Sequence, residues 1–172
     1  AIIFGSSGLI GNELFKTILL NNTYSKIKIF VRTIPKVDNP KVEIIKTDFR
    51  NLEKYKDKIN GDDCYFCIGT TNKDTPDKSE YTRIEYDIPV RVATISKENS
   101  VNSFFYVSSI GANSKASSNY LKNKGQVEEK IKNLNFNKLA IIRPSLLIGN
   151  RKSFRLGEAI FTPVMNSLTL FA

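Results

Sequence analysis

Tyr120 and Lys124 stand four residues apart in a stretch of helical periodicity, so a phenol and an ammonium share one helix face. Val127, Ile131 and Leu134 continue nearly the same stripe and turn that face toward a core rather than toward open water. A half-buried ammonium favours phenolate and draws a neighbouring phenol from its usual value of about 10 toward neutrality. The chain contains no histidine, so a proton donor working near neutral pH must be Tyr, Lys, Asp, Glu or Cys. The same absence excludes Ser-His-Asp and Cys-His nucleophiles and most zinc sites; no metal is expected. Tyr-x-x-x-Lys alone is common on ordinary helix surfaces. Ser108 and Ser109, eleven residues before Tyr120 at the end of a β-rich run, shift the balance. A hydroxyl there is placed to bond a substrate carbonyl beside the phenol. The plainer alternative is that the two serines cap a turn leading to Gly111.

A second constellation opens the chain. Gly5-Ser6-Ser7-Gly8-Leu9-Ile10-Gly11 lies between an apolar run and an amphipathic one. Gly5 permits a tight strand-to-helix turn, Gly8 lets the backbone approach a pyrophosphate, and Gly11 lets the helix pack close to the sheet. The helix N-terminus adds free N–H groups and the positive end of a dipole. About 20 residues further on, an acidic side chain would take the ribose hydroxyls of NAD. That position, 21 residues after Gly11, holds Arg32, followed by Thr33. An arginine there suits a 2′-phosphate and favours NADP over NAD, unless it is simply a solvated strand end. Asp48 and Phe49 end the third strand, where a carboxylate and the backbone fit an adenine edge.

These groups need a scaffold, and the pattern alternates short β-rich runs with helical stretches. Strands are expected at Ala1 to Phe4, Lys26 to Val31, Val42 to Lys46, Asp63 to Ile68, Asn102 to Val107 and Lys138 to Ile142. Helices are expected from about Asn12 to Leu20, Leu52 to Ile59, Glu80 to about Asn99 and Tyr120 to Leu134. Pro89 falls inside the third and should kink it or mark an irregular start. Such alternation predicts an α/β protein of Rossmann type, a doubly wound parallel sheet in one three-layer α/β/α domain spanning residues 1–172. The 28 residues after Pro144 are too few for a second domain; residues 145–172 are expected to form a minimal substrate-side segment. The chain opens inside a strand without an initiator Met and reads as a piece of a slightly longer protein.

At 172 residues, 41% hydrophobic and 25% charged, the chain has an ordinary globular composition and can bury a core without a staple. Cys64 and Cys67 are three apart on a strand, so their sulfurs point to opposite faces and neither a disulfide nor a redox pair is expected. Two cysteines and no disulfide framework favour a reducing compartment, and the expected location is cytoplasmic. No apolar run approaches the roughly 20 residues of a membrane span. The net charge is +9, but Glu53, Asp57, Glu128 and Glu129 interrupt the basic groups and no aromatics interleave with them. Solvated helix faces and one anionic ligand explain that charge better than nucleic acid does.

Taken in order, Gly5-x-x-Gly8-x-x-Gly11, Ser108-Ser109 and Tyr120-x-x-x-Lys124 resemble a short-chain dehydrogenase/reductase. More narrowly, the chain resembles the atypical branch that contains the Tat-interacting oxidoreductase-like proteins. The likeness runs through Cys67-Ile68-Gly69-Thr70-Thr71, Val107 to Ala112, Ser117 to Glu129 and Ile142-Arg143-Pro144-Ser145. It implies NADP in the crevice, with residues 68–71, Ser108, Arg143 and Pro144 joining the glycine turn around it. It also implies Tyr120 as acid/base, Lys124 as its electrostatic partner, and Ser109, or Ser108 in its place, as the group that orients the carbonyl; Tyr120 and Lys124 line the coenzyme as well, Lys124 being able to hold the nicotinamide ribose hydroxyls. Residues 84–87 read Ile-Glu-Tyr-Asp, without the Asn that many such enzymes use in a proton relay. The expected activity is hydride transfer to or from a small carbonyl or alcohol. A nucleotide-sugar epimerase or dehydratase, or a non-catalytic NADPH-binding regulator, are the alternatives. Amphipathic helices at Glu80–Asn99 and Tyr120–Leu134 would suit pairing into a homodimer.

Overall fold

The structure, a computed structural model, describes residues 1–145. Six strands form one sheet: β1 (Ile2–Phe4), β2 (Ile27–Val31), β3 (Val42–Lys46), β4 (Asp63–Phe66), β5 (Ser103–Val107) and β6 (Lys138–Ile142). They are ordered β3-β2-β1-β4-β5-β6, every neighbouring pair parallel. This is the expected doubly wound Rossmann sheet. The order reverses between β1 and β4, the point beyond whose strand ends such sheets bind their ligands.

Strand alternation divides the core into two layers. Ile2 and Phe4 face one side with Phe30, Phe66, Phe104 and Tyr106, under helices α3 (Ile88–Glu98) and α4 (Asn119–Asn133). Ile3 faces the other with Ile27 and Ile29, under Phe15 and Ile18 of α1 (Leu9–Leu20). All three β1 side chains are fully buried, which fits an uninterrupted apolar strand covered on both faces.

Several boundaries differ from expectation, most by a single residue. Helix α1 starts at Leu9 rather than near Asn12, because Gly8 serves as its N-cap. Strand β4 stops at Phe66, although the Cys67 N–H still donates to the Phe4 carbonyl at 2.8 Å. The helix expected from Glu80 is an interrupted one. A short α2 (Lys78–Thr82) runs into a π-helical turn at Arg83–Asp87 and then into α3. Pro89 explains the interruption: it has no N–H to donate, and its ring would meet the carbonyl of Glu85 in a regular helix. Among the described residues no helix is long and apolar enough to cross a membrane. Apart from Ser145, the segment assigned to the substrate side lies outside the described residues.

Candidate active site

The glycine turn is built as its spacing predicts. Gly5 has φ +90°, and a Cβ there would sit 2.8 Å from the backbone of Cys67 and Ile68. A Cβ on Gly11 would fall 2.1 Å from the Gly5 carbonyl oxygen, so only glycine lets α1 lie against the strand end. Gly8 leaves the mouth of the turn open and caps α1 without any side chain. The first turn of α1 carries no acidic residue, so its N–H groups face outward with nothing to neutralise them. Ser6 is buried, Ser7 is exposed, and Leu9 and Ile10 are half-buried. An uncapped helix N-terminus of this kind has the charge and the free N–H groups that suit a pyrophosphate. Arg32 and Thr33 are exposed at the end of β2. Asp48 is exposed and folds its carboxylate onto the Arg50 N–H at 2.9 Å. The Phe49 side chain turns into the core against Phe4, leaving only its backbone for an adenine edge. A groove of about 440 Å³ between the 3₁₀ segment Leu52–Lys58 and α3 touches the candidate set only at Phe49.

On the other side of the crevice, α4 brings Lys124 under the sheet end. Its side chain is 4% exposed, with Nζ 5.9 Å from the Tyr120 ring centroid and 5.1 Å from that of Tyr106. Nζ donates to the Val107 carbonyl at 3.3 Å. The sequence pointed to a half-buried ammonium; the structure buries it fully. What makes this tolerable is Glu85, whose Oε2 lies 3.1 Å away. Burial works against the charge on Lys124, but Glu85, Tyr106 and Tyr120 more than offset it and hold the ammonium above its usual range. Tyr106 is pushed up to about 12, chiefly by burial.

Glu85 was not singled out from the sequence, although it lies in the stretch noted for its missing Asn. Its other oxygen accepts the Thr70 N–H at 2.5 Å. The loop after β4 is thereby tied to the π-helical turn, while the Thr70 and Thr75 hydroxyls bond at 2.8 Å. Pro89, four residues on, was the available signal, since it forces the irregular turn that swings position 85 inward.

The two serines separate. Ser108 is buried and its hydroxyl donates to Glu128 at 2.5 Å, whereas Ser109 is half-buried and its hydroxyl reaches only the Ile110 carbonyl at 3.3 Å. Arg143, expected to line the coenzyme, instead directs its guanidinium onto Glu128, at 2.9 Å from Nε and through a second Nη2 contact. A carboxylate as buried as Glu128 needs such partners. Pro144 accepts the Ile110 N–H at 3.1 Å. Gly125 was also missed: a Cβ there would lie 2.2 Å from the backbone of Asn113 and Ser114, so the loop carrying Ser109 rests directly on α4. Cys64 is buried, Cys67 is half-buried, and both are free thiols held high, at about 12, by burial.

A parallel sheet in this order, with a glycine turn at its switch point and a phenol–ammonium pair opposite, defines a Rossmann-type dinucleotide-binding protein. Residues 5–159 match a family model described as NAD(P)H-binding, and the chain belongs to that family. It is 32% identical to the rat (Rattus norvegicus) protein HTATIP2, covering 96% of this chain and 70% of the relative. It is 34% identical to FMP52 of Debaryomyces hansenii, covering 94% and 73%, and 32% identical to FMP52-1 of Scheffersomyces stipitis, covering 89% and 69%. Both fungal relatives are named mitochondrial, and this corrects the expectation of a cytoplasmic location. Cysteine content could not separate those two places, because it reports redox conditions rather than an address. Among solved structures, Bordetella bronchiseptica WbmH in complex with NAD+ superposes with a TM-score of 0.77 at 16% identity. That match covers 96% of this chain and 62% of WbmH. A Thermotoga maritima UDP-glucose 4-epimerase superposes at 0.72 and 12% identity, with 57% of it covered. These likenesses are of fold, and the chain spans about six tenths of those structures.

Proposed function

We propose that the protein is an NADP(H)-dependent oxidoreductase of the short-chain dehydrogenase/reductase type, acting on a small carbonyl or alcohol. The observation that carries this reading is the buried Lys124 ammonium 5.9 Å from the Tyr120 ring, across the crevice from an uncapped glycine turn. A pure coenzyme sensor needs the turn but has no use for an acid/base pair. When bound, the coenzyme supplies a hydride donor or acceptor at C4 of its nicotinamide. Tyr120 gives a proton to the carbonyl oxygen in reduction and takes it back in oxidation, and Lys124 steadies the phenolate left behind. Ser109, whose hydroxyl is weakly engaged, orients the carbonyl. Exposed Arg32 takes the 2′-phosphate, for which its planar fork is suited. The mitochondrial names of the fungal relatives support placing the chain in that organelle.

One set of measurements tests the reading. NADPH and NADH are titrated against wild type, Tyr120→Phe and Arg32→Asp, and carbonyl compounds are screened by loss of NADPH absorbance. Tyr120→Phe is expected to bind NADPH like wild type yet turn over at least about a hundredfold more slowly. Arg32→Asp is expected to lose the preference for NADPH. Equal turnover without the phenol ends the catalytic claim, and an unchanged preference in Arg32→Asp displaces the 2′-phosphate site.

A further inference from the structure

Glu85 has no part in the chemistry just described, yet it sits at the centre of the site. Its side chain is fully buried and touches two elements that the coenzyme must also meet. One oxygen accepts the Thr70 N–H of the loop after β4 at 2.5 Å, and the other lies 3.1 Å from Lys124 Nζ of α4. An apolar pair of the same volume would serve folding as well or better, because burying two charges costs more than their attraction usually returns. The fold alone therefore gives no reason for the pair. The backbone is also unusual at this point, and π-helical turns recur at functional sites.

The groups facing Lys124 are the Glu85 carboxylate from the π-helical turn, the Tyr106 ring and Val107 carbonyl from β5, the Tyr120 ring from α4, and the Cys67 thiol beyond β4. Of these, Glu85 is the ion-pair partner. An ammonium has three N–H donors. The Val107 carbonyl takes one of them, and Glu85 holds the ammonium as an ion pair at 3.1 Å.

We propose that Glu85 is the positioning residue of this site, anchoring the Lys124 ammonium and the Thr70 loop from the protein interior so that both meet the nicotinamide ribose in one fixed geometry. The proposal rests on the coenzyme reading above but is tested by binding, without reference to turnover. Gln at position 85 keeps an acceptor for the Thr70 N–H and removes only the charge that holds Lys124.

NADPH is titrated by fluorescence against wild type, Glu85→Gln, Glu85→Asp, Lys124→Met and the double variant Glu85→Gln/Lys124→Met, with melting temperatures recorded alongside. Glu85→Gln and Lys124→Met are each expected to weaken binding about tenfold, and the double variant to fall within about threefold of either single one. Glu85→Asp, which keeps the charge, recovers most of the loss. Wild-type affinity in Glu85→Gln beside a weakened Lys124→Met, losses that multiply in the double variant, or an Asp variant as weak as Gln would overturn the proposal and spare the coenzyme reading. Full-strength binding by Lys124→Met removes the proposal and leaves the coenzyme reading, which falls only if wild type binds no NADPH. Should Glu85→Gln fail to fold, the double variant decides: a folded double variant supports a charge pair, and an unfolded one shows that Glu85 serves the fold independently of Lys124.

Discussion

Ser108 and Ser109 are adjacent and chemically identical, and their spacing from Tyr120 could not choose between them. The choice depends on Glu128, twenty residues away from Ser108, whose buried carboxylate takes the Ser108 hydroxyl and the Arg143 guanidinium. No local pattern announces such a partner. Ser109→Ala is expected to slow turnover roughly tenfold to a hundredfold without lowering the melting temperature, as loss of a substrate-orienting hydrogen bond would. Ser108→Ala should instead cost roughly 1.5–3 kcal/mol of stability, the value of a hydrogen bond to a charged group. Paired melts and rate measurements check this, and a stability loss confined to the Ser109 variant would reverse the assignment. The same limit explains why Glu85 was missed. Tyr120 and Lys124 are legible because helix spacing puts them together, whereas the Glu85–Lys124 pair joins residues from elements far apart in the chain.

At the scale of elements, the strands were legible as short runs rich in β-branched and aromatic residues; central β1 is buried on both faces, while the edge strands β3 and β6 are only partly covered. Helix ends were less so: Gly8 as an N-cap has no side chain to mark it, and α1 starts three residues earlier than its apolar stripe suggests. Pro89 signalled an irregular helix, but not the partner that position 85 meets, since Lys124 lies on another helix. Gly125 shows how one helix sets the place of a loop. Backbone atoms of Asn113 and Ser114 occupy the space where its Cβ would go, and neither can swing aside as a flexible side chain would. Gly125→Ala is expected to lift the loop carrying Ser109 off α4, with a stability loss of about 1–3 kcal/mol. Activity should fall further than stability accounts for, while NADPH binding at the distant glycine turn persists. Calorimetry with a coenzyme titration checks this, and a variant as stable as wild type would mean that the loop yields freely.

For the molecule as a whole, 26 Lys and Arg against 17 Asp and Glu leave a charge of +9, which the carboxylates alone keep from rising further. Several of them are held below the usual carboxylate range in the folded chain. Glu128 is raised by its burial, but hydrogen bonds from Arg143 and Ser108 outweigh that and bring it down. Glu43 is lowered by Lys26, Glu80 by Arg83 and Glu98 by Lys56. A carboxyl whose folded value lies below its unfolded one adds stability above the unfolded value, about 4.3, and loses it as pH falls through the folded value. The melting temperature should therefore be level between about pH 7 and pH 5 and fall steeply below about pH 4, where lost pairing and uncompensated positive charge act together. Because repulsion among surface cations is screened and a buried pair is not, about 0.5 M salt should restore only part of the loss. Glu128→Gln separates the two contributions. It should be less stable than wild type at neutral pH and lose less on acidification. An acid profile parallel to that of wild type would show that repulsion alone unfolds the chain and that the Glu128 cluster contributes nothing to its acid sensitivity.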